Sequence, residues 1–445
     1  METIFAAATV RAKSAVAVIR VSGARATDAL TRCSTLPSLP PPRRAAYVAF
    51  VHPHARDVID KGLALYFPAP HSFTGEDCVE WHIHGGPAVV ERALRAIGSL
   101  EGFRRAEAGE FSRRAYDNRK MNALELEGLA DMLSAETDAQ AKQAAKLLSG
   151  ETGAEILRLR DMIVDAQAYI EAYIDFPDEP IPESISDDIS LKVATVKAAL
   201  ERALAAGKRN RLVRSGMKVT LFGAPNAGKS TLMNALAKAD VAIASPVPGT
   251  TRDSISVRLD VGGYPVSLTD TAGLRDSDDA IEKEGVARAR NRIADADLAL
   301  AIVAADEGIT DDVRAHIDDA TPIIVNKTDK ISGPPPVFHP RARHVYASLT
   351  EDPERAATEI LALIEHFADA SFAGGEGAAL VTRERHQAYL ENALDALSDV
   401  DMRALPPEIA AEHLRRAAYE TGAVAGFSDT EEMLDKLFRE FCIGK

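Results

Sequence analysis

The chain has 445 residues, 46% hydrophobic and 27% charged, which is material for about three soluble domains. Its formal charge of −15 excludes a broad non-specific nucleic-acid binder. It leaves room for RNA on a local basic patch, and Arg104-Arg105, Arg113-Arg114, Arg119-Lys120 and Lys208-Arg-Asn-Arg211 are the candidates. No apolar run approaches the ~18 residues of a bilayer span, and no signal peptide is visible, so a cytoplasmic protein with no membrane part is expected. The three cysteines, Cys33, Cys78 and Cys442, lack metal-ligand spacing.

Residues 1–118 read as a mixed α/β domain. Apolar runs predict strands over 15–22, 46–51, 62–67 and 78–84, and a helix with an early proline over 87–97. His82 and His84 alternate along a strand and share a face, but no third ligand accompanies them, so structural or substrate-contacting roles are expected. Residues 119–215 turn to Ala/Glu/Lys-rich amphipathic spacing, with helices expected from about 155 to 174 and 190 to 206. Residues 216–370 form the nucleotide domain described below, and a Gly-rich linker follows. Helical spacing resumes at 383–397, 407–421 and 429–441, within a segment 371–445. Helices on either side of the nucleotide domain would pack together, because neither set buries its apolar faces well alone.

The nucleotide domain carries the most specific signals. Gly223-Ala-Pro-Asn-Ala-Gly-Lys-Ser230 stands between the apolar run Val219–Phe222 and a helix over 231–238, the setting of a phosphate-binding loop. Backbone N–H groups from Asn226 to Thr231 would face phosphate oxygens. Lys229 would bridge the outer phosphates, and Ser230 would ligate Mg²⁺. Thr251, in Gly249-Thr-Thr-Arg-Asp253, can complete that metal shell. Asp270-Thr-Ala-Gly273 brings a carboxylate near the metal and a flexible glycine near the terminal phosphate. Asn326-Lys-Thr-Asp329 supplies Asp329, whose carboxylate accepts from the ring N–H and amine of guanine. Ser348 adds a weaker base-contact signal. All of these in order imply a GTPase. Leu274 stands where Ras-like GTPases carry the glutamine that orients water, so another group, such as Glu282 or Glu284, must do this.

Asn226, Gly249-Thr-Thr-Arg-Asp253, Leu274 and the ending Phe441-Cys-Ile-Gly-Lys445 resemble the bacterial tRNA modification GTPases of the MnmE (TrmE) family over the whole chain. The resemblance implies an N-terminal α+β, folate-binding-like and dimerising domain, a split helical-bundle domain, and an inserted Ras-like P-loop GTPase domain with a mostly parallel sheet. It implies GTP contacts through Asn226, Ala227, Gly228, Lys229, Ser230, Thr231, Ser245, Thr250, Thr251, Asp270, Thr271, Ala272, Gly273, Asn326, Lys327, Asp329 and Ser348. It implies K⁺ held by Asn226 with Ser245, Val247 and Thr250, in the place of an arginine finger, and a water oriented by Glu282. Pro246 and Pro248 depart from the family in that loop, and Ser348-Leu349 departs at the base. Arg20, Glu80, Lys120 and Lys445 match positions that bind 5-formyl-tetrahydrofolate or a related reduced folate, and Cys442 is the candidate catalytic thiol. The resemblance further implies a homodimer that joins the flavoprotein MnmG in a heterotetramer. Together they would add an aminomethyl-type group to carbon 5 of the wobble uridine of certain tRNAs. A ribosome-assembly GTPase of the Era or Der kind and a dynamin-like membrane GTPase are the competing readings. The chain has one GTPase domain, no KH-like pattern and no lipid-binding tip to favour them.

Overall fold

The computed structural model describes residues 2–10, 12–175, 183–243, 256–270, 290–372, 380–400, 405–426, 434, 437–439, 441 and 443–444. Ser245, Val247, Thr250, Thr251, Thr271, Ala272, Gly273, Glu282, Cys442 and Lys445 lie outside the described residues, as does most of the helix expected over 429–441. Two units divide the chain. One comprises Met1–Ala130, Leu147–Ser186 and Asp399–Lys445, and the other Asp131–Lys146 and Asp187–Ser398.

The first unit opens with β1 (Thr3–Ala7), β2 (Ser14–Ser22), α1 (Ala26–Arg32), β3 (Ala46–Val51), β4 (Val58–Phe67) and β5 (Cys78–Gly85). Next come α2 (Pro87–Gly98), β6 (Phe103–Arg105) and α3 (Glu110–Asp117). The strands form one sheet in the order β3-β4-β5-β2-β1-β6, antiparallel except where β1 meets β6. The period of two in β5 sorts its side chains: Val79, Trp81 and Ile83 are buried in a core shared with α1 and α2, while Glu80, His82 and His84 take the other face. Phe50 stacks on Trp81 with ring centroids 4.3 Å apart, closing that core. β1 was not expected. Its five residues are too few to show a period, and its strand state comes from pairing with β2 on one side and β6 on the other.

The helices α4 (Ala123–Ser134), α5 (Asp138–Leu148), α6 (Glu151–Asp175) and α7 (Glu183–Ser215) follow. The last runs beyond both ends of the helix expected over 190–206, because Ala, Lys and Arg are good helix formers throughout and Gly216, at φ +85°, ends it.

The second unit holds β7 (Met217–Phe222), α8 (Lys229–Ala237), β8 (Ser256–Val261), β9 (Tyr264–Asp270), β10 (Leu298–Ala304), α9 (Asp311–Arg314), β11 (Ile323–Asn326) and β12 (His344–Tyr346). It ends with α10 (Pro353–Phe372) and α11 (Glu384–Ser398), and α12 (Pro407–Val424) returns to the first unit. Its sheet has the order β12-β11-β10-β7-β9-β8 and is parallel except for the hairpin β8–β9. β10 sits at its centre although its run Leu-Ala-Leu-Ala-Ile-Val-Ala carries no strand alternation, since a strand covered on both faces has none. Ile360, Leu363 and Ile364 of α10 are buried against the sheet's core, and Phe372 stacks on Tyr264 at 4.1 Å. In the first unit α6 packs along α12, so a helix before the nucleotide sheet in the chain meets one after it.

Candidate nucleotide-binding site

β7 leads straight into the phosphate loop. Asn226 takes a left-handed φ of 64° without being glycine, and Gly228 caps α8 at φ 113°. No side chain caps α8, which leaves its first N–H groups turned toward the loop. A Cβ on Gly228 would stand 2.2 Å from the Asn326 amide nitrogen, so only glycine fits where loop and β11 meet. The Lys229 side chain is buried, and its ammonium donates to the carbonyls of Gly223 (2.7 Å) and Ala224 (2.8 Å). These bonds fold the cation over the loop, within reach of a phosphate cradled there. Ser230 and Thr231 are exposed on the first turn of α8. Asp270, buried at the end of β9, lies beside Leu221 of β7.

The base end is built on the carboxyl end of β11. Asn326, 4% exposed, donates its amide to the carbonyl of Ala227 (2.8 Å) and accepts the N–H of Leu349 (3.1 Å). It therefore ties the phosphate loop to the loop after β12. Ser348 donates its hydroxyl to Asp329 Oδ1 at 2.6 Å. That bond is the main reason the Asp329 carboxyl is held below its usual range, so it is ionised and acceptor-only at neutral pH. Lys327, at φ 61°, donates to Glu307 at 2.8 Å. The carboxylates Asp306 and Glu307 that hold Lys327 and Lys330 were not singled out from the sequence, because they follow an unrecognised strand, β10.

In the first unit a second cluster forms on the sheet face opposite the main core. Arg20 pairs with Glu80 across β2 and β5 at 2.9 Å, and the ring of His82 lies 3.4 Å from the same carboxylate. The guanidinium lies over Phe73 at 4.9 Å from its centroid and 5.8 Å from that of Phe111. The turn that carries Phe73 also meets Lys120: a Cβ on Gly75 would stand 3.2 Å from the Lys120 Cγ. Arg114 donates to Glu76 at 2.9 Å, and Ser22 donates to the same carboxylate at 2.7 Å, which pins that turn to α3 and β2. Ile443 bridges to Ala108, and Gly444 packs against the carbonyl of Ala7, so the end of the chain runs beside β1.

Comparison with known proteins decides the family. Residues 124–442 match the model for the MnmE helical domain, and residues 3–120 match that for the GTP-binding protein TrmE N-terminus. A tRNA modification GTPase MnmE of Rhodopseudomonas palustris is 43% identical, over 100% of this chain and 99% of its own. Its namesake in Brucella anthropi is 42% identical over 100% and 98%. The chain belongs to the MnmE (TrmE) family. A solved structure of Aquifex aeolicus Era matches at 23% identity over 41% of this chain and 67% of its own, and its TM-score of 0.25 carries no argument.

Of the positions that match MnmE motifs, Asn226 to Thr231, Asp270, Asn326, Lys327, Asp329 and Ser348 gather at the carboxyl ends of β7, β9 and β11 and in the loop after β12. Arg20, Glu80 and Lys120 gather around the turn at Phe73 and Gly75 in the first unit. His84 is bonded to Asp60 at 2.9 Å, and among the described residues no group of three or more His, Cys, Asp or Glu could hold a metal ion. Burial pushes the Cys33 thiol up to about 12, so it stays protonated, and Cys78 is buried in contact with Ser22 and Thr74. No helix among the described residues is long and apolar enough to cross a membrane.

Proposed function

We propose that this chain hydrolyses GTP and uses the cycle to drive modification of the wobble uridine of certain tRNAs. The observation that carries the reading is the single link from Ala227 through Asn326 to Leu349, with Asp329 aimed by Ser348: a phosphate cradle and a guanine-selective carboxylate on one rigid strand end. Guanine presents two donors to Asp329, whereas adenine presents an acceptor at its ring nitrogen, so the carboxylate rejects it.

On GTP binding, the Lys229 ammonium exchanges the carbonyls of Gly223 and Ala224 for phosphate oxygens. The N–H groups from Asn226 to Thr231 hold the phosphates in line. Ser230 and Thr251 would hold Mg²⁺, and Asn226 with Ser245, Val247 and Thr250 would hold K⁺; such cations would supply positive charge to the phosphates. An exposed Ser230 hydroxyl on the first turn of α8, the buried Asp270 carboxylate at the end of β9 and a left-handed Asn226 in the loop fit those ions. Asp270, Thr271, Ala272 and Gly273 border the terminal phosphate, and Glu282 orients the attacking water in place of the glutamine that Leu274 replaces.

The first unit serves the modification itself. Arg20, Lys120 and Lys445 are cations suited to a folate's carboxylates, and Glu80 is an acceptor suited to its ring N–H groups. A reduced folate held there would supply the one-carbon unit, and Cys442 would act in that chemistry. The protein works in the cytoplasm as a homodimer with MnmG. Residues 1–118 form the folate and dimerisation domain, 119–215 and 371–445 the helical domain, and 216–370 the GTPase.

The test is GTP turnover in K⁺ against Na⁺ at equal ionic strength. With K⁺ in the place of an arginine finger, turnover should fall by about tenfold or more in Na⁺, equivalent to ~1.4 kcal/mol of lost transition-state stabilisation. Equal rates would remove K⁺ from the mechanism.

A further inference from the structure

The acidic balance of this chain poses a physical problem for a protein that handles tRNA, because its mean field repels a polyanion. A docking surface must therefore be a local exception. The C-terminal half of α7 is one. From Arg202 to Ser215 the helix holds five cations, Arg202, Lys208, Arg209, Arg211 and Arg214, and no acidic residue.

Two ordinary explanations for helical cations fail for three of them. Several helical cations elsewhere in this protein are matched by a carboxylate one turn away: Lys142 by Asp138, Arg158 by Glu155, Arg355 by Glu359, Arg415 by Glu412. The positions three and four residues from Arg202, Lys208 and Arg209 hold Ala, Leu, Val or Arg. Complementing the helix dipole explains cations of the last turn, such as Arg214, but the effect fades within that turn, and Arg209 lies six residues before the helix ends at Ser215. Tertiary partners account for the other two. Arg214 reaches Asp131 at 3.8 Å and donates to the Thr382 carbonyl, and Arg211 donates to Gln387. Lys208 and Arg211, at i and i+3, repel each other mildly, so the arrangement costs the helix a little stability.

The geometry suits a phosphate chain. Arg202 and Arg209 are two turns apart on one stripe, about 10 Å along the axis, with Lys208 flanking them. From Val196 to Asn210 they lie away from the buried Val196, Leu200, Ala203 and Asn210, and the buried Leu212 and Val213 follow Arg209 by three and four residues. Arg202 and Lys208 are exposed and Arg209 is half-buried. We propose that this stripe of α7 contacts the phosphate backbone of the tRNA. The proposal rests on tRNA being the substrate.

The test measures tRNA binding to the full-length protein by fluorescence anisotropy over a series of KCl concentrations. Each lost phosphate contact lowers the steepness of log K against log salt by roughly 0.7–0.9. Arg202→Ala, Lys208→Ala and Arg209→Ala together should flatten it by about two and weaken binding at least about fivefold at 0.1 M salt. GTP turnover and melting temperature should hold, since none of the three touches the nucleotide site. Arg202→Lys with Arg209→Lys should retain most of the affinity, because the contact is to charge. A triple variant that binds with wild-type affinity and slope overturns the proposal while leaving tRNA as substrate. Wild-type protein that binds no tRNA at any salt overturns both. Binding of wild type to vesicles of anionic lipid but not to tRNA assigns the stripe to a membrane surface instead, and overturns the proposal.

Discussion

At the scale of single residues, the base end of the nucleotide site rests on hydrogen-bond bookkeeping. Asp329 is exposed, yet Ser348 fixes one of its oxygens, so the other faces an incoming base with little freedom left to lose. Xanthine carries a carbonyl where guanine carries its amine, and that carbonyl would meet the carboxylate. Asp329→Asn replaces one acceptor with a donor. It should weaken GTP and strengthen XTP, each by about 1.5–3 kcal/mol, the worth of charge-assisted bonds. Competitive binding of the two nucleotides to wild type and variant reads this directly. A variant that keeps the wild-type preference would mean Asp329 does not read the base. The sequence marked Asp329 by its tetrapeptide, but gave Ser348 only a weak place. What makes Ser348 matter is its 2.6 Å approach to a residue 19 positions away, which no local pattern encodes.

At the scale of elements, α3 carries a charged joint within the first unit. Glu110, in its first turn, receives Arg104 at 2.6 Å, Arg114 at 3.1 Å and the Glu107 N–H at 2.9 Å. Burial alone would raise its pKa. These donors, Arg104 foremost, outweigh burial and hold the carboxyl below its usual range. A carboxyl with a lowered folded pKa stabilises the fold above its unfolded pKa of about 4.3, and that contribution is lost as pH falls through the folded value. Denaturant titrations of wild type should therefore show a fall in stability on acidification below pH ~4. Glu110→Gln should cost about 1–3 kcal/mol at pH 7 and show a shallower fall. Parallel acid profiles for the two proteins would place the acid sensitivity elsewhere.

At the scale of the whole molecule, two units each have a sheet and a buried core of their own. The phosphate loop and Asp329 both belong to the second. Calorimetry should resolve two transitions, and GDP at 100 times its Kd should raise that of the second unit alone. The linkage term is about 2.7 kcal/mol, or roughly 5–10 °C for a unit of this size. A single transition, or equal shifts in both, would mean that the units unfold as one.

Sequence by itself determined what is local. The phosphate loop was legible because glycines, a lysine and a serine must fall at fixed steps between a strand and a helix, and β7 and α8 form around them. β3 and β5 were legible from short apolar or alternating runs, and the family from motifs spread over the full length. Only the tertiary structure decided which distant groups meet. β1 and β10 are strands because of the neighbours they pair with, not because of a period in their own residues. Asn326 was marked as part of a base-reading tetrapeptide, and the fold makes it the tie between Ala227 and Leu349. Arg20 and Glu80 stand 60 residues apart in the chain, and the register of β2 against β5 sets them side by side beneath Phe73. Periodicity reports the face a residue takes within its own element, whereas the partner across that face is set by strand order and register, which belong to the whole sheet.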